Sequence, residues 1–293
     1  MKKLPQTLKL LAPAMLLLLS GCAMQKSATG TQDILLKYHA SPGKSFTVNS
    51  NMSTVVVTEQ MGESMEVAIS SASESVYKIN SVQDDGTMLM EKEFKSMTQE
   101  NKNPMGDTSS DFSTWIGKKA GFQVTPAGEV SKITGLDQFP DVVAASGETL
   151  NGDYLESTLK NDFIKLPNQP VKKGFSWAVP DTMEVEVNGG NLKQDGSTTY
   201  TIGDKVTREG VECIQILVDG TSKMTGEMEQ QGMTLEITRE TKTTGTLYFA
   251  LGKGYFQSMD YSATALGEVY IPMASMSIPQ NMTTKVSLST VFD

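Results

Sequence analysis

The chain has 293 residues, of which 20% are charged and 38% apolar, and its net charge is −9. That apolar content excludes a disordered tail, and the acidic balance excludes a nucleic-acid binder, which needs a basic footprint. One histidine and two cysteines leave little for a zinc site or a Cys–His nucleophile, and 25 glycines without a triplet period exclude collagen.

Residues 1–9 carry Lys2, Lys3 and Lys9 and no acid, residues 10–19 are almost wholly apolar, and Leu19-Ser20-Gly21-Cys22 follows. A basic stretch, a short apolar core and small residues before a cut make a secretory signal. The apolar run is about ten residues long, too short to span a bilayer as a mature helix. Its end resembles the lipobox of bacterial lipoproteins at all four positions. The resemblance implies removal of residues 1–21, a diacylglyceryl group on the Cys22 thiol and an acyl chain (palmitate or similar) on the new amino group. Such an anchor is firm, because each buried methylene contributes roughly 0.8 kcal/mol. Ala23 stands where an Asp would favour inner-membrane retention in enterobacteria, so the resemblance implies outer-membrane sorting, facing either the periplasm or the exterior. Losing residues 1–21 removes three lysines and no acids, which takes the net charge from −9 to −12. An acidic body repels anionic headgroups, so the anchor rather than a basic patch is expected to hold the protein at the membrane.

Residues 22–33, small and polar, read as a tether. A first β-rich half is expected over 34–135. Met65, Val67 and Ile69 share one face of a strand, and so do Met88, Met90 and Phe94, with Glu91, Glu93 and Lys95 pointing away. Asp85-Gly86 reads as a tight hairpin turn. Residues 136–164 lack alternation and carry Val142, Val143, Leu150, Leu155, Leu159 and Ile164. They predict a helical insert over 136–166, split near Gly147 and Gly152 and closed by Pro167 and Pro170. A second β-rich half follows over 167–293. In it Ile214, Ile216 and Val218 align, Val286, Leu288 and Phe292 align, and Asp219-Gly220 reads as a second turn.

The two halves share an order of motifs. Gly43-Lys44-Ser45-Phe46-Thr47-Val48 resembles Gly174-Phe175-Ser176-Trp177-Ala178-Val179, and Tyr77-Lys78-Ile79 resembles Tyr200-Thr201-Ile202. Gly121-Phe122-Gln123-Val124 with Gly128-Glu129-Val130 resembles Gly245-Thr246-Leu247-Tyr248 with Gly254-Tyr255-Phe256. A second register pairs the two Asp-Gly-Thr turns instead. The expected fold is mainly β with a small helical insert. It is antiparallel, and forms either a duplicated curved sheet or two packed sheets. Tyr38, Pro42-Gly43-Lys44-Ser45-Phe46, Asp85-Gly86, Gly128-Glu129-Val130, Gly135 and the run Pro170-Val171-Lys172-Lys173-Gly174-Phe175-Ser176-Trp177 resemble an uncharacterised family of bacterial cell-envelope lipoproteins, a domain of unknown function. The resemblance covers about residues 34–292 and implies a fold but no catalytic residues.

The residues offer no catalytic constellation. His39 has no triad or metal partners by spacing and reads as a surface or strand-start residue. Cys213 alternates with Val211 and Leu217, opposite Ile214 and Ile216, and reads as a buried, inert thiol. Met224/Met228 and Met273/Met276 would suit soft Cu(I) but lack supporting His or Cys. No nucleophile elbow, phosphate loop or dinucleotide fingerprint is present. Asp181-Thr182-Met183 resembles an O-glycosylation site of some envelope bacteria, with Thr182 the acceptor. Met65, Met88, Met90 and Phe94 read either as core or as a concave apolar face for an acyl chain or hydrophobic peptide. The expectation is a lipid-anchored, non-enzymatic binding or structural protein of the cell envelope, without cofactor, metal or nucleic acid. Its partners are the membrane, through Cys22, and an apolar ligand or another envelope protein. An apolar-ligand carrier and an enzyme of unrecognised type are the alternatives.

Overall fold

A computed structural model describes residues 33–293 apart from Met61, Ser146, Glu148, Asn188, Gly189 and Gln231. In chain order the strands of the first half are β1 (Ser45–Gln60), β2 (Glu63–Val82), β3 (Met88–Lys102), β4 (Thr108–Ser109), β5 (Lys119–Val124) and β6 (Val130–Thr134). Two short strands, β7 (Val142–Val143) and β8 (Thr149–Leu150), precede the helix α1 (Gly152–Asn161). The second half holds β9 (Ser176–Pro180), β10 (Met183–Val187), β11 (Gly190–Arg208), β12 (Val211–Gln230), β13 (Met233–Ala250), β14 (Tyr255–Ile271) and β15 (Met276–Phe292).

Thirteen of these strands form one antiparallel sheet in the order β10-β11-β12-β13-β14-β15-β1-β2-β3-β5-β6, with β9 beside β11 and β4 beside β3. The expected mainly-β, antiparallel fold is therefore what forms, as one continuous sheet and not two packed ones. β7 and β8 pair separately. The last strand closes against the first, Phe46 opposite Phe292 through Thr58 opposite Gln280, and this joins the two halves.

The helical reading of 136–164 needs correction. Among the described residues of this segment, only α1 is helical apart from a single 3-10 turn at Leu136–Gln138. Pro140 forces Phe139 into extended backbone, and the β-branched pair Val142-Val143 takes a strand. Asn151, and not a glycine break, starts the helix. Its side chain accepts from the amides of Asp153 and Tyr154, and Leu155 and Leu159, one turn apart, are buried.

Asp85-Gly86 does turn the chain between β2 and β3. Gly86 adopts φ 85°, and Asp85 Oδ1 accepts from the Thr87 amide at 2.9 Å. Asp219-Gly220 does not turn it. Both residues lie inside β12, paired with Thr199 and Thr198 on one side and with Thr244 and Thr243 on the other. The turn falls instead at Glu209-Gly210, both with positive φ, as a two-residue hairpin requires.

The two halves carry the same hydrogen-bond signature. The amide of Gly43 donates to Ile79 O at 2.8 Å and that of Gly174 to Ile202 O at 2.8 Å. The return bonds run from Ile79 to Lys44 O and from Ile202 to Phe175 O, each 2.9 Å. Phe46 stacks on its partner Tyr77 with ring centroids 5.1 Å apart, and Trp177 stacks on Tyr200 at 5.2 Å. In the third motif the correspondence is displaced by one residue. Met90 opposes Phe122 where Ile216 opposes Leu247, so Phe122 matches Leu247 and not Thr246. The register that pairs the two Asp-Gly-Thr runs is ruled out, because one is a turn and the other a strand interior.

The core occupies one end of this sheet. Phe46, Tyr77, Met90 and Phe122 from the first half meet Ile216, Leu247, Phe249 and Tyr255 from the second, under Tyr38, Leu155, Leu159 and Phe163. Residues 36–40 bridge the halves. Tyr38 N donates to Pro126 O at 2.9 Å and His39 N to Gly254 O at 3.4 Å. His39 is thus neither loose nor at a strand start, and its Nε2 lies 3.1 Å from Leu251 O.

Candidate functional site

Alternation carries the core face along β1, β2 and β11–β15 into the half of the sheet away from the core. From Phe46 and Val48 the same face of β1 continues through Met52, Thr54 and Val56. From Leu247 the face of β13 continues through Thr241, Arg239, Ile237 and Leu235. Cross-strand pairing assembles these positions into rows. One row reads Gln194, Met224, Arg239, Gly267, Gln280, Thr58 and Met65. Its neighbour on the hairpin side carries Leu192, Gly226, Ile237, Val269 and Ile278, and its neighbour towards the core carries Ala265, Met282, Val56 and Val67.

Leu235, Ile237, Ala265 and Ile271 are 2–9% exposed. The connecting segments that cover the sheet belong to the core at the other end, apart from the turn Pro272–Ala274 beside β13. The turn Pro272–Ala274, which follows Ile271 and packs beside β13, and the side chains of the adjoining strands shield these four residues. Two glycines on this face sit hard against the neighbouring strand. A Cβ on Gly226 would lie 2.0 Å from Asn191 O, and one on Gly267 would lie 2.4 Å from Thr238 O, so neither position admits a side chain.

The opposite face is polar. A cavity of about 1020 Å³ crosses the middle of the sheet, lined mainly by residues pointing away from the core, among them Asn51, Ser53, Ser70, Thr246, Asp260 and Lys285. Its hydroxyl and charged lining can hydrogen-bond water or a polar ligand.

The expected site residues are dispersed. Met88, Met90 and Phe94 are 3%, 2% and 6% exposed and fill the core, whereas Met65 is 42% exposed at the far end of β2. The four share a face but form no common surface. Thr182 is exposed between β9 and β10, beside Asp181, which accepts from Gln194 Nε2 at 2.8 Å. Cys22, the signal peptide and the tether up to residue 32 lie outside the described residues. Cys213 is fully buried, paired with Val206 and Ala250, and burial pushes its thiol pKa up. Among the described residues, no three His, Cys, Asp or Glu side chains converge as metal ligands would, and no helix is long and apolar enough to cross a membrane.

Two charged residues escaped the sequence reading, and both gave the same signal, a cation on an apolar strand face. Lys92 lies between Met90 and Phe94, 6% exposed. Its Nζ is 2.8 Å from Asp162 Oδ2, which also accepts from the Tyr77 hydroxyl at 2.7 Å. This triad ties the C-terminal end of α1 to the sheet inside the core. Arg239 follows Leu235 and Ile237 at period two. It is half-buried, and desolvation pulls its pKa down.

No family model matches the chain, and no curated protein matches it. Among solved structures, an outer membrane channel from Pseudomonas putida F1 aligns over 87% of this chain and 98% of its own. The identity is 9% and the TM-score 0.19, a likeness too small to bear on fold or role.

Proposed function

We propose that the protein is a non-enzymatic binding protein of the cell envelope, anchored at the outer membrane through acylated Cys22, and that it holds an apolar ligand on the core-side face of its sheet, beyond the core. The observation that carries the ligand reading is the half of that face beyond the core. There Met224, Val269, Ile278, Met282 and Val56 continue the apolar surface and, among the described residues, lie outside the core cluster. Methionine-rich faces adapt to ligands of varied shape. The outward positions of the same strands are mostly Ser, Thr, Glu and Lys, the reverse of the apolar lipid-facing band of a membrane barrel, and β10 and β6 leave the sheet open at both edges. This supports a body in water, tethered beside the lipid.

Two measurements test the two parts. Cys22→Ser should abolish labelling by radioactive palmitate and release the protein from the membrane fraction; persistent labelling refutes the anchor. Native mass spectrometry of the Cys22→Ser full chain, purified from cells without detergent, should reveal a lipid-sized adduct that Met282→Glu removes. Only the bare polypeptide mass, over repeated preparations, refutes the ligand.

A further inference from the structure

In the half of the sheet away from the core, the inward positions of β11–β15 comprise alternate residues of 190–198, 220–228, 235–243, 263–271 and 276–284. Arg239 is the one charged residue among them. A guanidinium that loses water normally gains a carboxylate or several carbonyls in exchange. Arg239 has gained neither among the described residues, and burial alone accounts for its lowered pKa. The facing positions of the neighbouring strands carry no acid, and Asp181, between β9 and β10, is bonded to Gln194 two strands away. The facing positions are Met224 on β12 and Gly267 on β14, with Gln194 and Gln280 one strand further out on either side. Gly267 removes the side chain that would otherwise cover the arginine on that flank. The row thus offers a forked cation and the Gln280 amide, and the rows above and below it offer methyl and methylene surface.

Resting on the ligand-binding reading above, we propose that Arg239 receives the carboxylate of a long-chain fatty-acid anion whose acyl chain lies along the core-side face against Ile237, Val269, Ile278 and Met282. The guanidinium fork matches a carboxylate with two parallel N–H···O bonds, and Gln280 stands in the same row as a further amide donor. A neutral lipid satisfies the apolar rows and leaves the cation unpaired. The site therefore selects for the charge on the head and tolerates variation in the chain.

The test uses the full chain carrying Cys22→Ser, stripped of lipid and titrated with palmitate and with hexadecanol, which share a chain and differ in the head. Palmitate should bind at least about tenfold more tightly than hexadecanol, the scale of a charge-assisted bidentate contact in a partly dry site. Arg239→Gln should bring palmitate down to the level of hexadecanol without changing hexadecanol, and Arg239→Lys should retain part of the preference. Met282→Glu should weaken both. Equal binding of acid and alcohol by the unsubstituted chain overturns the assignment to Arg239 and leaves the apolar reading standing, as does an Arg239→Gln protein that keeps the preference. Binding of neither probe overturns both. Unchanged far-UV circular dichroism and melting temperature confine the effect of each substitution to the site.

Discussion

Lys92 and Asp162 form an ion pair across the core, Nζ 2.8 Å from Oδ2, with the two side chains 7% and 17% exposed. The pair joins a core-facing position of β3 to the residue that ends α1, and Lys92 also lies over the Tyr77 and Phe94 rings at 5.2 and 5.1 Å. Removing one member of such a pair leaves a buried charge uncompensated, which costs about 3–5 kcal/mol. Lys92→Met is expected to lower stability by roughly 3 kcal/mol, and adding Asp162→Leu to restore much of the loss. Urea unfolding of the single and double variants decides it. A single variant as stable as the parent would mean that the pair contributes nothing.

The tyrosines predict an alkaline limit to stability. Burial raises the pKa of Tyr38, Tyr77 and Tyr255 far above the ordinary 10.0, the charge of Asp162 adds to the effect at Tyr77 and Tyr255, and Tyr200 is pushed up to about 12. A group whose folded pKa is raised contributes stability below its unfolded pKa and loses it as pH rises. Stability should therefore be flat below pH 10 on their account and fall above it, because the unfolded chain ionises there and the native chain does not. Tyrosinate absorbance at 295 nm should lag in the native protein and appear together with unfolding. Smooth titration of all tyrosines near pH 10 in folded protein would contradict the packing around Tyr38.

Gly128 and Gly174 both have positive φ, 89° and 85°, but differ in what surrounds them. A Cβ on Gly128 would sit 2.6 Å from Ile164 O and 2.7 Å from the Tyr38 ring, whereas one on Gly174 meets nothing within 4 Å. Gly174→Ala should cost about 1 kcal/mol from the left-handed backbone alone, and Gly128→Ala about 2 kcal/mol or more, since it must also displace the bridging segment. Thermal melts of the two variants should separate by several degrees. Equal losses would mean that Tyr38 is not held against that turn.

Cys213 should behave as an inert thiol. It is fully buried, burial raises its pKa, and the thiolate is the reactive species. In the Cys22→Ser chain, a thiol-specific chromogenic disulfide should react only after denaturant is added. Fast reaction in native buffer would place Cys213 at an accessible surface.

Alternation is a local property, so the faces of β2, β3 and β12 could be read directly from Met65, Met88, Met90, Ile214 and Ile216. The paired motifs at Gly43 and Gly174 could be read too, and the bonds to Ile79 and Ile202 give their correspondence a physical meaning. The helix was overdrawn because absence of alternation is not a helical signal. Asp219-Gly220 was misassigned because a glycine that admits close approach inside a strand looks, in sequence, like one that turns a chain.

The sequence by itself determined the strand faces, the repeat and the expectation of an acylated Cys22, because side-chain period and short-range motifs need no partner to exist. Tertiary structure decided which stretch of apolar face is filled and which is left uncovered. Met90 and Met282 are indistinguishable as residues, but the first lies in the core cluster with Leu36, Tyr38, Leu155 and Leu159, whereas among the described residues the second does not. It also decided that, among the described residues, Lys92 has a carboxylate and Arg239 has none. The reason is that cover and pairing come from chain segments distant in sequence, and no local pattern records where those segments come to rest.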